Sequence, residues 1–255
     1  MSNSKIIAEN LKVAYGEKVI INRADFTVKE NDIFIIMGGS GCGKSSLLRV
    51  LTGLMPPSGG TFFVNGTDYP QADKNTQLEI MKKAGILYQS GGLFSSMTLA
   101  ENVALPLQKY SNYPQDVIDE LVNLKLSLVG LAGYNDYYPS EISGGMKKRA
   151  GLARALALDP EIVYFDEPSA GLDPVSSARL DNLMKDINQN LGTTLVVVTH
   201  ELDSIFAIGN NSIFIDAATK SVIVGGNPHE LLKNPPNQTV LNFLTRGNND
   251  EKRTK

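Results

Sequence analysis

Cysteine is nearly absent from this chain. Its 255 residues include a single one, Cys42, which excludes an internal disulfide framework and suggests a reducing compartment. Long apolar runs are missing as well. A membrane-spanning helix needs about 20 consecutive apolar residues. The best runs, at 33–37, 162–165 and 195–198, are far shorter and read as buried strands. The first eleven residues are polar and mixed, without the apolar centre of a signal peptide. Nor does one charge dominate. Lys and Arg number 24 against 27 Asp and Glu, leaving −3, so no strong field recruits nucleic acid or acidic lipid. Any work on a membrane is therefore expected to go through a partner. What is present is an ordinary globular composition, 42% hydrophobic and 20% charged. The chain is long enough to bury about 70% of its unfolded surface.

Strands and helices alternate, which predicts an α/β fold with a mostly parallel core sheet. The opening differs. Residues 6–15, 18–21 and 24–28 are short β-like runs separated by turn residues, Gly16-Glu17 among them, and suggest a small antiparallel layer. The all-apolar strand 33–37 leads into a glycine cluster at 38–43 and a helix expected over 45–54, stopped by Pro56-Pro57-Ser58-Gly59-Gly60. A strand at 61–64 meets Asn65-Gly66, a tight hairpin turn. The middle is more helical. Thr98-x-x-Glu101 fits a capping box. Residues 115–128 carry Val117, Ile118, Leu121, Val122 and Leu124 at helical spacing. A third helix is expected over 144–157, with Ser143 positioned to cap it. The parallel pattern then resumes with a strand at 161–165. Asp173-Pro174 supplies an N-cap and an N1 proline to a helix with Leu180, Leu183, Met184, Ile187 and Leu191 on its apolar face. A buried strand at 195–199 follows. The chain thus reads as a nucleotide-type α/β core, about 1–91 and 158–245, interrupted by a helical insert over about 92–157. The tail at 246–255 is expected to be polar and disordered.

Gly38-Gly39-Ser40-Gly41-Cys42-Gly43-Lys44-Ser45 satisfies G-x-x-x-x-G-K-S. Glycines let successive backbone N–H groups converge on phosphate oxygens, and the following helix points its positive end at the same anion. Lys44 would reach the β- and γ-phosphates, and the Ser45 hydroxyl would ligate Mg²⁺. Ser46 completes the phosphate-binding set. This loop by itself says nucleoside triphosphate and does not separate kinases, GTPases and transport ATPases. Cys42 lies inside it. It reads as a small space-filler, with a thiol activated by the helix N-terminus as the sharper alternative.

The strand ending in Asp166-Glu167 exposes two acids at the C-terminal end of a buried run, where open α/β sheets place ligands. Asp166 would hold Mg²⁺ through water, and Glu167 would polarise the attacking water as general base. Ser143-Gly144-Gly145 opens a second anion-ready helix N-terminus, far in sequence from the phosphate loop, and a second copy of the chain could bring it over the γ-phosphate. The trio Lys147, Lys148 and Arg149 reads as a solvated helix face.

At this point the residues resemble a family, the ATP-binding subunits of ABC transporters, along nearly the whole chain. The phosphate loop, Gln89, Ile142-Ser143-Gly144-Gly145-Met146, the run 162–167, Ser169-Ala170-Gly171-Leu172-Asp173 and His200 occur in the family's order. The resemblance implies a P-loop NTPase core of RecA-like type with an N-terminal antiparallel layer and an inserted helical subdomain, hydrolysing ATP with Mg²⁺. By it, Tyr15 stacks on adenine, Gln89 touches Mg²⁺ and the attacking water, and Ser143 and Gly145 clasp the γ-phosphate on an opposite subunit. Asp173 lies near the dimer interface and His200 contacts the γ-phosphate. His229 matches nothing and reads as a surface helix position. Two departures stand out: Ile142 and Met146 replace the usual Leu and Gln of the clasp, and Gly39 replaces a common proline.

Residues 88–107 and 139–160 are similar, more narrowly, to the ATPase subunits of bacterial lipid-asymmetry transporters that work with MCE-domain proteins. That similarity implies phospholipid movement between inner and outer membranes. The implied partners are a second ATPase copy, a transmembrane permease and an MCE-domain lipid-binding protein, with a small accessory subunit left open and no nucleic acid. The implied place is the cytoplasmic face of the inner membrane, held through those partners. An ABC ATPase for another substrate is the alternative. A soluble ABC-type ATPase would usually have two fused cassettes or long coiled coils, and a small-molecule kinase has no use for Glu167 and Ser143–Gly145.

Overall fold

The computed structural model describes residues 4–247. Among them, ten strands form one curled sheet in the order β5-β4-β1-β2-β10-β9-β3-β8-β7-β6. One side is antiparallel: β1 (Ser4–Tyr15), β2 (Lys18–Lys29), β4 (Gly59–Val64) and β5 (Thr67–Asp68). The other side is a parallel core of β3 (Ile33–Gly38), β8 (Thr194–Val198), β7 (Ile162–Asp166) and β6 (Ala84–Leu87). β9 (Asn211–Asp216) and β10 (Ser221–Gly225) join the two.

The apolar runs are continuous because both faces of the core sheet are buried. In β3, Ile33, Ile35 and Met37 pack into one apolar cluster, and Phe34 and Ile36 pack into the other. β7 and β8 alternate in the same way, Val163 and Phe165 against Tyr164, Leu195 and Val197 against Val196. The second cluster lies between the antiparallel layer and the core and encloses α1 (Lys44–Leu51) through Leu47, Leu48, Val50 and Leu51. Each such buried side chain contributes about 2 kcal/mol, which fixes the helix that follows the phosphate loop.

Three helices lie between β6 and β7: α3 (Leu99–Tyr110), α4 (Gln115–Leu128) and α5 (Gly144–Ala155). α3 starts on the expected capping box: Thr98 Oγ1 accepts from Glu101 N and Glu101 Oε2 accepts from Thr98 N. α4 has the expected bounds. α5 is pressed backbone-to-backbone on the loop after β6, since a methyl on Gly151 would lie 2.3 Å from the Gly91 carbonyl oxygen. Only glycine permits that approach.

Several expectations are corrected. Residues 18–21 and 24–28 are one strand, β2, with a register shift against β1 between Leu11/Ala24 and Val13/Ile21 rather than a turn. The helix after the phosphate loop ends at Leu51, three residues short, and the third helix ends at Ala155. The strand expected at 161–165 shifts by one to take in Asp166. α2 (Lys74–Lys82) was not legible at all. α6 (Pro174–Leu191) and α7 (Leu202–Ile208) alternate with β8 and β9, and α8 (Pro228–Lys233) and α9 (Gln238–Leu244) follow β10. Of the expected disordered tail, Arg246 and Gly247 form a turn after α9, and 248–255 lie outside the described residues.

Candidate nucleotide site

β3 delivers Gly38 to the C-terminal edge of the core sheet, Gly39, Ser40 and Gly41 are exposed, and α1 begins at Lys44. Gly43 N-caps that helix at φ 108, a backbone region closed to most side chains. No side chain caps α1 and its first turn holds no acid, so its leading N–H groups and dipole face outward without an internal anion. Lys44 is buried, and its ammonium donates to the carbonyls of Gly38 at 2.9 Å and Gly39 at 3.1 Å. The next residue, Ser45, donates its hydroxyl to Asp166 Oδ1 at 2.8 Å. Tyr15 ends β1 as an exposed ring beside this turn. The Ser46 hydroxyl first and the Arg49 guanidinium second hold its phenol below the ordinary tyrosine value, and Arg49 donates to its oxygen at 3.1 Å.

The two acids part company at the strand end. Asp166 is the last residue of β7, while Glu167 turns into the left-handed region at φ 48. That conformation costs a non-glycine residue about 1 kcal/mol. It is held by Glu167 N donating to Val198 O at 2.9 Å, and it brings the carboxylate back over the phosphate loop, with Oε1 3.9 Å from the Lys44 ammonium. His200, two residues past the end of β8, places Nδ1 2.9 Å from both Glu167 oxygens. The tautomer protonated at Nδ1 therefore donates to the carboxylate. Lys44, Ser45, Asp166, Glu167 and His200 thus converge from three adjacent parallel strands. Leu87 of β6 pairs with Phe165 of β7, so exposed Gln89, two residues on, leaves the sheet level with Glu167.

Ser143, Gly144 and Gly145 do not join this cluster within one copy. Ser143 is exposed and N-caps α5, accepting from Met146 N at 3.3 Å. A Cβ on Gly145 would lie 3.5 Å from Ser176, whose N–H and hydroxyl both donate to Asp173, the N-cap of α6. The 143–145 turn and Asp173 therefore share one stretch of surface. Met146 is half-buried against the apolar core, which accounts for an apolar residue there.

Burial overturns one sequence reading and decides another. Of the basic trio, Lys148 is buried and donates to the Glu167 carbonyl at 3.4 Å. Arg149 donates to the carbonyls of Val129 and Gly130 at 2.7 and 2.9 Å. The trio is therefore not a solvated face. Burial is the main cause of the lowered Lys148 pKa, with the carboxylates of Glu167 and Asp166 opposing it. Cys42 is 3% exposed and burial pushes its thiol up, so it is a space-filler rather than an activated nucleophile. His229 is an exposed position on α8, as expected.

Two residues that the sequence did not flag organise the loop after β6. Buried Asn102 accepts from Phe94 N at 2.8 Å and donates to the carbonyls of Phe94, Met97 and Thr98. Arg154 donates to Gly92 O at 2.5 Å. Only a buried amide at an otherwise apolar helix position hinted at the first. Beside this loop lies a groove of about 450 Å³ lined by Leu78, Tyr88, Phe94, Pro106 and Tyr110. Leu78, Tyr88, Phe94 and Tyr110 are exposed there.

Residues 21–170 match the ABC transporter family. The intermembrane phospholipid transport system ATP-binding protein MlaF of Haemophilus influenzae is 37% identical over 250 residues, 98% of this chain and 93% of that one. The probable ribonucleotide transport ATP-binding protein mkl of Mycobacterium tuberculosis is 38% identical over 239 residues, 94% of this chain and 66% of that protein. Among solved structures, a dimeric ATP-binding cassette in a post-hydrolysis state with ADP and phosphate superposes with a TM-score of 0.79 at 27% identity, covering 87% of this chain and 98% of that one. With a phosphate loop and two strand-end acids gathered on one sheet edge, and relatives matched over nearly its full length, the chain belongs to the ABC transporter family as an ATP-hydrolysing subunit.

Proposed function

We propose that this chain powers phospholipid transport between two membranes, as the ATPase of a permease complex that includes an MCE-domain protein. The observation that supports the substrate is the 37% identity sustained over 93% of a phospholipid-transport ATP-binding protein. Among the described residues no helix is long and apolar enough to cross a membrane, and the subunit would be held at the inner membrane's cytoplasmic face through its permease. The groove beside 88–94 is the surface we assign to that permease, because its exposed aromatic rings adjoin the loop carrying Gln89. On this reading the core is 1–91 and 158–245, and the helical insert is 92–157.

ATP binds with its phosphates on the loop 38–46 and its adenine on Tyr15. Lys44 exchanges its carbonyl partners for phosphate oxygens. Ser143 and Gly145 cannot serve their own loop, so they complete the site of a second copy. Glu167 takes a proton from the attacking water, and His200 holds that carboxylate in place from the other side and faces the γ-phosphate. Gln89 enters at the same level from β6. Mg²⁺ fits the residues present. Ser45 and Asp166 bring two hard oxygen donors within a hydrogen bond of each other, and this ion needs few protein ligands because phosphate and water supply the rest. When bound, it would neutralise charge on the phosphates.

A second reading, the same ATPase serving another substrate, is favoured by the comparable 38% identity to the ribonucleotide-transport relative. Affinity capture of the tagged chain from detergent-solubilised membranes separates them. Co-purification of a multi-span permease with an MCE-domain protein supports lipid transport. A permease without an MCE-domain protein favours the second reading. Ribosomes or DNA in place of a permease would overturn both.

A further inference from the structure

Behind the loop 169–173, between α6 and α7, lies a pocket of about 300 Å³ that the nucleotide site does not use. Its walls include Ser169, Asp181, Glu201, Asp203 and Ser204. Asp181 belongs to α6 and is 5% exposed. Its Oδ2 accepts from the Ser204 hydroxyl of α7 at 2.9 Å. Among the described residues its Oδ1 has no partner, and neither does the hydroxyl of Ser169, itself 6% exposed.

A buried carboxylate with one bare oxygen is costly unless something compensates it. Burial, and after it Asp203, pushes the Asp181 carboxyl up, while the Ser204 hydrogen bond and Lys185 oppose that. Among the described residues no cation reaches the bare oxygen. At the mouth, Glu201 lies 3.7 Å from His200 Nε2 and Asp203 lies 3.8 Å from Arg246. Both add negative field without filling the pocket. Among the described residues, no three His, Cys, Asp or Glu side chains form a group able to hold a metal ion, which argues against a divalent cation and its usual set of carboxylates. One carboxylate with two hydroxyl oxygens is a hard, singly charged donor set, suited to an alkali cation that trades hydration for neutral oxygens.

We propose that this pocket binds a monovalent cation, Na⁺ or K⁺, anchored by Asp181 and completed by the hydroxyls of Ser169 and Ser204. The cation would tie α6, whose N-cap is Asp173, to α7, which begins two residues after His200. The site needs neither ATP nor a partner, so its test is independent of the transport reading.

The purified full-length chain is melted in choline chloride, then in NaCl or KCl replacing choline at constant ionic strength. The wild type should show a saturable rise in Tm of about 3 °C. Asp181→Asn, which keeps the shape and an oxygen for Ser204, should melt at least as high in choline and lose the rise. Ser169→Ala should fold normally and need several-fold more cation to reach half of the rise. A flat wild-type titration, as from a pocket holding water alone, overturns the proposal. So does an equal rise in Asp181→Asn, and an unchanged midpoint in Ser169→Ala removes the hydroxyl that completes the site.

Discussion

Replacing Glu161 by Gln tests whether the antiparallel layer is tied electrostatically to the core. Glu161 stands at the entrance to β7. Its Oε2 accepts from Lys5 of β1 at 2.9 Å and from Asn65, in the β4–β5 turn, at 3.0 Å, and Oε1 lies 3.2 Å from Lys83. With the Lys5 hydrogen bond as the largest cause, its pKa falls to about 2 from an ordinary 4.5. At 1.36 kcal/mol per pH unit, that gap has a ceiling of about 3 kcal/mol. The side chains of Glu161 and Lys83 are 35% and 64% exposed, so solvent screening leaves about 1–1.5 kcal/mol. Glu161→Gln should therefore lower Tm at pH 7 by about 3–5 °C. The sign follows from a depressed folded-state pKa. The stabilisation is complete above pH 4.5 and is lost as pH falls from there through about 2. Urea unfolding of both chains from pH 7 down to pH 2.5 measures the gap. A gap that stays constant over that range, or no gap at pH 7, would refute the carboxylate charge as its origin.

Glu167→Gln should keep nucleotide affinity, accumulate as a nucleotide-bound dimer and lose at least about 100-fold in turnover, the low end for a positioned general base. Steady-state phosphate release at the wild-type rate contradicts that role. Lys44→Ala should abolish binding of a fluorescent ATP analogue, since the ammonium at the mouth of the loop is lost, and an unchanged Kd would count against the loop assignment. Cys42 should alkylate far more slowly than a free thiol until denaturant is added, because it is 3% exposed. Labelling at the free-thiol rate in native buffer would show an open loop instead. Gly151→Ala puts a methyl 2.3 Å from Gly91 O and should cost about 1–3 kcal/mol. A variant as stable as the wild type in urea would mean that α5 can back away from the loop.

Local features were legible from the sequence, and features made by burial were not. The phosphate loop, the capping box at Thr98 and the Asp173-Pro174 helix start each depend on residues a few positions apart, and the pattern contains all of them. α4 was readable to the residue through Ile118 and Val122, which are buried at helical spacing, although Leu124 of the same set is exposed and Leu126, outside it, is buried. α2 was not, because it buries none of its residues and so leaves no apolar stripe. The break expected in β2 was an exposed Asn22-Arg23 step in a strand that never leaves the sheet. Lys148 was misread for a different reason. A basic residue is normally solvated, and only the tertiary fold shows it spanning to the Glu167 carbonyl. Asp181 was invisible for the same reason, as an acid on the buried side of an otherwise apolar helix face.

The contact between Gly151 and the Gly91 carbonyl has a mechanical consequence. Two backbones touch there with no flexible side chain between them, and Arg154 pins the same loop one turn further along. α5 is 12 residues long, a rod of about 18 Å, with Ser143 at its far tip. Close-packed backbone transmits displacement instead of absorbing it. A push on the loop that carries Gln89 would meet α5 through backbone, with no side chain between them to give way, and the rod it meets ends at the distant turn.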